Sequence, residues 1–224
     1  MERITWLAEK RRLAEKRYDT IFSFDYDQKW GTIDESHRRI LLRFLALLHP
    51  QGTILDAACG TGKYWSLISS QNYKLLGIDQ SQEMLAKAVT KYPNFRTQKL
   101  GLQEISFSNV FDGIICIDAM ENVFPEDWPL VLKNFKRALT TAGYLYFTVE
   151  IANDEEISED YQKSKNMGLP VVRGEVAATG GYHYYPEMIQ VNEWLVQAGF
   201  NIEYEEIGDG YHHLIAKAVN QQAE

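Results

Sequence analysis

Two glycines and two aspartates stand where a backbone could approach a ligand. The segment GTILDAACGTGKYW, residues 52–65, places Asp56 at the end of an apolar run and Gly60 and Gly62 just after it. A second apolar segment, YKLLGID, ends in Asp79. Glycine permits close approach, and the unpaired N–H groups of a following helix favour a carboxylate or a phosphate. A carboxylate at the end of the second strand is placed to accept both hydroxyls of a ribose.

The spacing of the glycines separates two ligand classes. A dinucleotide loop, G-x-G-x-x-G, needs its third glycine for close packing of helix on strand. Here Trp65 occupies that position. The loop therefore disfavours an NAD-dependent oxidoreductase and favours a ligand with a ribose, a carboxylate and an ammonium but no pyrophosphate. The alternative is a tight strand–helix turn that binds nothing.

Strands and helices must alternate to position these residues. We predict strands in Thr53–Asp56, YKLLGID, FRTQKL, FDGIICID and GYLYFTVEI. Helices are predicted between them over residues 63–70 and 128–139 and in QEMLAKAVTKY, with Ser81 as the N-cap of the last. Such alternation with buried strands indicates a doubly wound α/β fold with a parallel sheet. FNIEYEEI and YHHLIAKAV, joined by GDG, then close the sheet as an antiparallel hairpin.

The ends of this alternation define the predicted domain organisation. We expect one domain, residues 1–224, with an N-terminal helical cap over residues 1–50 and a substrate-side insertion over residues 152–186. Within the cap, YDTIFSFDYDQKWGTID reads as turn-prone between two helices. Within the insertion, a charged helix or loop precedes a hairpin whose turn contains Gly180 and Gly181.

The composition excludes some classes of protein and favours others. A chain of 224 residues with 45% hydrophobic residues can bury a full core. The net charge of −8 argues against a general nucleic-acid binder. Cys59 and Cys116 show neither disulfide nor metal-ligand spacing, so we expect no metal site and a cytoplasmic location. The charged N-terminal segment reads as neither a signal peptide nor a membrane span.

Taken in order, these motifs resemble those of the class I S-adenosylmethionine-dependent methyltransferases. ILDAACGTGKY resembles the family's D-x-G-x-G-x-G motif, and LLGIDQSQEML resembles its second strand with the ribose-binding acid. FDGIICIDAMENV, LTTAGYLYFTVE and the C-terminal segment from WLVQAGF onwards resemble its later strands. The resemblance implies a Rossmann-like seven-stranded sheet with the last strand antiparallel, and S-adenosyl-L-methionine as cofactor.

The resemblance also implies which residues bind the cofactor. Asp56, Gly60 and Gly62 would contact the methionine part, and Asp79 the ribose. The full expected set is Tyr18, Trp30, Asp56, Ala58, Gly60, Gly62, Asp79, Gln80, Met84, Leu102, Gln103, Asp118 and Ala119.

Two departures from the family pattern affect this set. Ala58 stands where the family often has glycine, and KLGLQEI lacks the acid that often holds the adenine, which leaves Leu102 and Gln103. The alternative to cofactor binding is simple core packing for Met84 and a position at the start of a helix for Gln80.

Methyl transfer from a sulfonium requires alignment first, and a general base only if the acceptor must lose a proton. The catalytic candidates are His183, Tyr184 and Glu121, with His183 the best base because it titrates near neutrality. Alternatively, His183 is a surface histidine and Tyr184 packs within the hairpin.

DAMENV replaces the N-P-P-Y-like run of amino-group nucleic-acid methyltransferases. We therefore predict a methyltransferase for a small-molecule acceptor, monomeric or homodimeric, that contacts no nucleic acid and no membrane. The alternatives are a non-catalytic partner protein that binds the cofactor, and a nucleic-acid methyltransferase.

Overall fold

The secondary structure follows the predicted alternation. The computed structural model describes residues 1–178 and 181–219. The strands there are β1 Thr53–Ala57, β2 Lys74–Asp79, β3 Arg96–Lys99, β4 Phe111–Cys116, β5 Leu139–Glu150, β6 Glu175–Val176, β7 His183–Tyr184, β8 Phe200–Gly208 and β9 Tyr211–Ala218. The helices are α1 Arg3–Arg17, α2 Ser23–Trp30, α3 Glu35–Leu47, α4 Trp65–Ser69, α5 Gln82–Lys91, α6 Trp128–Ala138, α7 Asp154–Asn166 and α8 Met188–Ala198.

Seven of the strands form one mixed sheet in the order β3-β2-β1-β4-β5-β9-β8. The first five are parallel to one another, whereas β9 is antiparallel to both of its neighbours, β5 and β8. The predicted fold class is therefore confirmed, including the antiparallel last strand. Because β2 and β4 flank β1, their carboxyl ends lie at one edge of the sheet, beside the glycine loop.

The core divides into two hydrophobic clusters because successive strand residues point to opposite faces. On β1, Ile54 belongs to the cluster that contains α3 and α4 residues such as Phe44 and Trp65. Its neighbour Leu55 belongs to the cluster that contains Trp128 of α6. Both strand residues are fully buried, as expected for a sheet covered by helices on both faces.

The prediction of a turn-prone segment after the first helix was wrong. Residues 18–22 form a turn of π-helix, and α2 follows directly. Tyr18, Phe22, Tyr26 and Trp30 recur every fourth residue, which places them on one face of this helical stretch. Their rings contact one another at centroid distances of 5.1, 5.5 and 5.4 Å.

The predicted late hairpin is present as the antiparallel pair β6–β7, separate from the main sheet. Gly180, expected in its turn, lies outside the described residues. The hairpin is tied to the N-terminus of the chain through Arg3, which donates two hydrogen bonds to the fully buried carboxylate of Glu175 at 2.8 and 3.0 Å. Tyr182 donates a third to the same carboxylate at 2.6 Å.

Across residues 1–178 and 181–219, every helix is too short or too polar to cross a bilayer.

Candidate functional site

The glycine loop after β1 rests on a buried tryptophan. Gly62 has φ +76°, and a Cβ there would lie 2.8 Å from the ring of Trp65. Gly77 on β2 leaves room for the same ring, since its Cβ would lie 2.3 Å from Cζ2 of Trp65. Trp65 thus occupies the space where a dinucleotide loop would need its third glycine.

Asp56, at the end of β1, binds the tryptophan on which this loop rests. Its carboxylate accepts a hydrogen bond of 2.7 Å from Nε1 of Trp65, and the residue is only 3% exposed. Burial raises the pKa of Asp56 to about 7. Asp56 and Gly62 do not line either of the cavities described below, so their contact with a ligand stays a prediction.

Asp79 ends β2 with both carboxylate oxygens turned to backbone amides. One accepts from the N–H of Gly60 at 2.9 Å and the other from that of Ser81 at 2.8 Å. Burial raises the pKa of Asp79 to about 6, although these hydrogen bonds act in the opposite direction. Each oxygen keeps a second lone pair, so the group can still accept two ligand hydroxyls.

A first cavity lies at this edge of the sheet. Its wall includes Asp79 and Gly60, and the predicted residues Tyr18, Ala58, Gln80, Met84, Leu102, Gln103, Asp118 and Ala119 also line it. The remaining lining residues are Tyr26, Leu100, Gly101, Asn122 and Val123. Trp30, predicted to cover the cofactor, lines the neighbouring cavity instead.

At one end of the first cavity, Leu102 and Gln103 are fixed by α6. The side-chain amide of Asn134 donates to the carbonyl oxygens of both, at 3.2 and 3.1 Å. Gln103 itself donates from Nε2 to Asp127 at 3.2 Å, so its Oε1 is the atom left to face a ligand.

A second cavity of about 440 Å³ adjoins the first. The two share four lining residues, Tyr18, Tyr26, Asp118 and Asn122. The aromatic face of the N-terminal segment forms much of its wall, together with His183 from the hairpin and Glu121 from a 3₁₀ turn after β4.

Asp118, at the junction of the cavities, is held by three side chains. It accepts from His37 at 2.9 Å, from Tyr64 at 3.0 Å and from Lys63 at 3.4 Å. Burial raises its pKa, but these partners outweigh burial and leave the pKa below its ordinary value. Asp118 also has φ +54°, a strained conformation for a residue other than glycine.

The sequence did not lead us to predict these three partners. Lys63 and Tyr64 directly follow the glycine loop, so their nearness to the site could have been predicted. His37 lies in α3, 81 residues before Asp118, and no sequence pattern links the two.

Glu121 is the least satisfied polar group of the second cavity. Its Oε1 accepts from Nδ2 of Asn122 at 2.9 Å, whereas Oε2 has no hydrogen-bond partner among the described residues. The residue is 8% exposed. Burial, with help from the charges of Glu150 and Asp118, raises its pKa to about 8. The pKa of Glu121 thus lies near neutrality, where the group can exchange a proton with a bound molecule.

His183 and Tyr184 point to opposite sides of β7. His183 lines the second cavity, with Nδ1 2.9 Å from the hydroxyl of Tyr185 and 3.7 Å from Glu150. Burial lowers the pKa of His183, and the nearby charge of Arg17 lowers it further. Tyr184 packs into the core and lines neither cavity, so we do not assign it a role in catalysis.

Several known proteins that are similar in sequence to this chain are methyltransferases. A family model described as a methyltransferase domain matches residues 54–143. An uncharacterized methyltransferase of Staphylococcus carnosus is 24% identical over 147 residues, which cover 63% of this chain and 70% of that protein. A malonyl-[acyl-carrier protein] O-methyltransferase of Hamiltonella defensa is 30% identical over 113 residues, 49% of this chain. That match spans only 43% of the relative's length.

Solved structures agree on the fold. A SAM-dependent methyltransferase of Methanosarcina mazei superposes with a TM-score of 0.69 at 19% identity, over 81% of this chain and 98% of the other. The 1,6-didemethyltoxoflavin-N1-methyltransferase of Burkholderia thailandensis, with S-adenosylhomocysteine bound, gives 0.65 at 17% identity, over 94% and 90%.

The domain match over residues 54–143, the sheet order and the motif at the end of β1 agree with the fold of the class I S-adenosylmethionine-dependent methyltransferases. We expect the first cavity to hold S-adenosylmethionine, because Asp79 keeps lone pairs for a ribose and because the carboxylates of Asp79 and Asp118 suit a cationic sulfonium.

Proposed function

We propose that this methyltransferase acts on a small molecule bound in the second cavity. The observation that carries the proposal is the cavity itself, which adjoins the first and is roofed by α1 and α2. Its volume of about 440 Å³ is in the range of small-molecule sites. The Burkholderia enzyme, solved with 1,6-didemethyltoxoflavin bound, is a small-molecule methyltransferase of the same fold.

The cofactor, when bound, supplies an activated methyl group on a sulfonium. In our proposal Asp79, Gly60 and Met84 hold it in the first cavity. Backbone groups near Leu102 and the side chain of Gln103 contact the adenine, in place of the acid that many relatives have. Tyr18 and Asp118 stand between the two cavities and orient both molecules.

Glu121 is the proposed proton acceptor. It lines the second cavity from the 3₁₀ turn that follows β4, and its Oε2 has no hydrogen-bond partner among the described residues. A base is most effective when its pKa lies near the working pH, and burial moves the pKa of Glu121 to about 8. His183 is the second candidate, since it faces the same cavity.

The test is methyl transfer from radiolabelled S-adenosylmethionine to a panel of phenols, amines and carboxylic acids, with RNA and DNA alongside. We expect transfer to small molecules, a loss of roughly 100-fold in kcat for Glu121→Ala, and a smaller effect for Tyr184→Phe. Transfer to RNA or DNA alone, with binding that weakens steeply with salt, would contradict the proposal.

A further inference from the structure

One lysine that lines the second cavity, Lys10, has no carboxylate within ion-pair distance in the part of the chain that the structure describes. Four basic residues line this cavity: Lys10, Arg17, Lys29 and Lys63. Lys29 pairs with Asp25 at 2.7 Å and Lys63 with Asp118 at 3.4 Å. For Lys10, no carboxylate oxygen of residues 1–178 or 181–219 lies within 4.0 Å of the ammonium.

Lys10 instead contacts neutral groups. Its ammonium donates to the carbonyl oxygens of Ala177 and Gly181 at 3.3 and 3.4 Å and lies 5.6 Å from the ring centroid of Trp6. These hydrogen bonds are long, and an ammonium has three donors. At least one N–H of Lys10 therefore remains for a ligand that enters the cavity.

A second cation approaches the same point. The guanidinium of Arg17 lies against Gly181, 3.1 Å from the position that a Cβ of this glycine would take. Burial lowers the pKa of Lys10, and the charge of Arg17 lowers it too, whereas the charge of Asp160 raises it. Lys10 and Arg17 therefore bring two basic side chains to this end of the cavity.

We infer that Lys10 binds a carboxylate of the acceptor, which rests on the proposed function of the second cavity. The acceptor is then a small monocarboxylic acid with a flat apolar body, held between the rings of Phe22, Trp30 and Tyr182. A carboxylate suits the site better than a phosphate dianion, because the charge of Asp160, which acts on Lys10, would repel the second negative charge.

The test measures charge preference by calorimetry on the chain saturated with S-adenosylhomocysteine. The probes are benzoate, phenylacetate and cinnamate, each with its neutral amide, and phenyl phosphate. We expect at least one acid to bind about tenfold more tightly than its amide, a difference of about 1.4 kcal/mol. Lys10→Gln should abolish this preference and Lys10→Arg should keep it. Lys16→Gln, on the exposed side of the same helix, is the matched control and should change nothing.

The inference would be overturned if the wild-type chain bound every acid and its amide equally. It would also be overturned if the chain bound none of them. A preference that survives Lys10→Gln, or tighter binding of phenyl phosphate than of benzoate, would overturn it too. The same titrations without S-adenosylhomocysteine keep the inference separate from the methyltransferase assignment. If the cofactor product fails to bind, the assignment fails, while the charge preference can still be measured.

Discussion

At the scale of single residues, the site contains acids whose burial favours their neutral forms. Asp56, Asp79 and Glu121 have pKa values raised to about 7, 6 and 8, in each case chiefly by desolvation. A carboxyl group with a raised pKa in the folded state stabilises the fold fully below its unfolded pKa. That contribution is lost as the pH rises through the folded pKa. The free enzyme should therefore lose stability between about pH 4 and pH 8.

Glu121→Gln isolates the largest of these effects. Glutamine keeps the shape but cannot ionise, so the variant should gain stability relative to wild type as the pH rises from 5 to 8. We expect about 1–3 kcal/mol in the free energy of unfolding, measured by urea denaturation at each pH. Glu159→Gln, an exposed carboxyl of α7, is the control. A stability difference that stays constant with pH would show that Glu121 is not held neutral.

How much of the site the sequence predicts depends on the range of the contact. Asp79, Gly60 and the Ser81 cap follow from local patterns, and the Ser81 hydroxyl does accept the N–H of Met84. The hydrogen bond from His37 to Asp118 joins distant segments, which no local pattern reveals. Tyr184 points away from the cavity because neighbouring strand residues alternate, a rule that the two-residue strand β7 obeys.

At the scale of elements, β2 and α4 can pack together only because residue 77 is a glycine. Gly77 lets the fully buried ring of Trp65 lie against β2, under the loop that leads to Gly60. The sequence shows Trp65 as the residue that excludes a dinucleotide loop, but not what it packs against. That partner is known only once the register of β1 on β2 is fixed, with Asp56 opposite Gly77.

Gly77→Ala should therefore destabilise the protein. Its Cβ would lie 2.3 Å from Trp65 and 2.9 Å from Sγ of Cys59. Overpacking of this kind costs about 1–3 kcal/mol. Thermal or urea unfolding of Gly77→Ala, Trp65→Leu and the double variant forms a double-mutant cycle. We expect the double variant to be more stable than the sum of the single changes predicts, by at least about 1 kcal/mol. Strict additivity would contradict the packing described.

At the scale of the whole molecule, Arg3 ties the N-terminal helix to the late hairpin. Arg3 also contacts Glu126, but its contact with the buried Glu175 is the one that water cannot replace. The sequence does not predict this link, since 172 residues separate its partners. It does predict both segments as additions to the alternating fold, and they are the segments that roof and flank the cavity.

Removal of this link should cost far more than removal of a surface ion pair. Arg3→Ala leaves Glu175 buried without its cation, and we expect a loss of about 3 kcal/mol in the free energy of unfolding. Arg12→Ala, which breaks an exposed pair with Glu9, should leave the free energy of unfolding almost unchanged. Denaturant unfolding of both variants checks this prediction. Equal losses for the two would contradict the view that Arg3 holds the roof of the cavity.

The central claim is that the first cavity binds S-adenosylmethionine through Asp79, and calorimetric titration tests it most directly. Wild type should bind S-adenosylmethionine and S-adenosylhomocysteine with micromolar affinity and should not bind NADH. Asp79→Ala should lose roughly 100-fold or more in affinity for both sulfur compounds, because the ribose loses its acceptors. Circular dichroism should show that this variant remains folded. Unchanged affinity in folded Asp79→Ala, or absence of binding by wild type, would contradict the account.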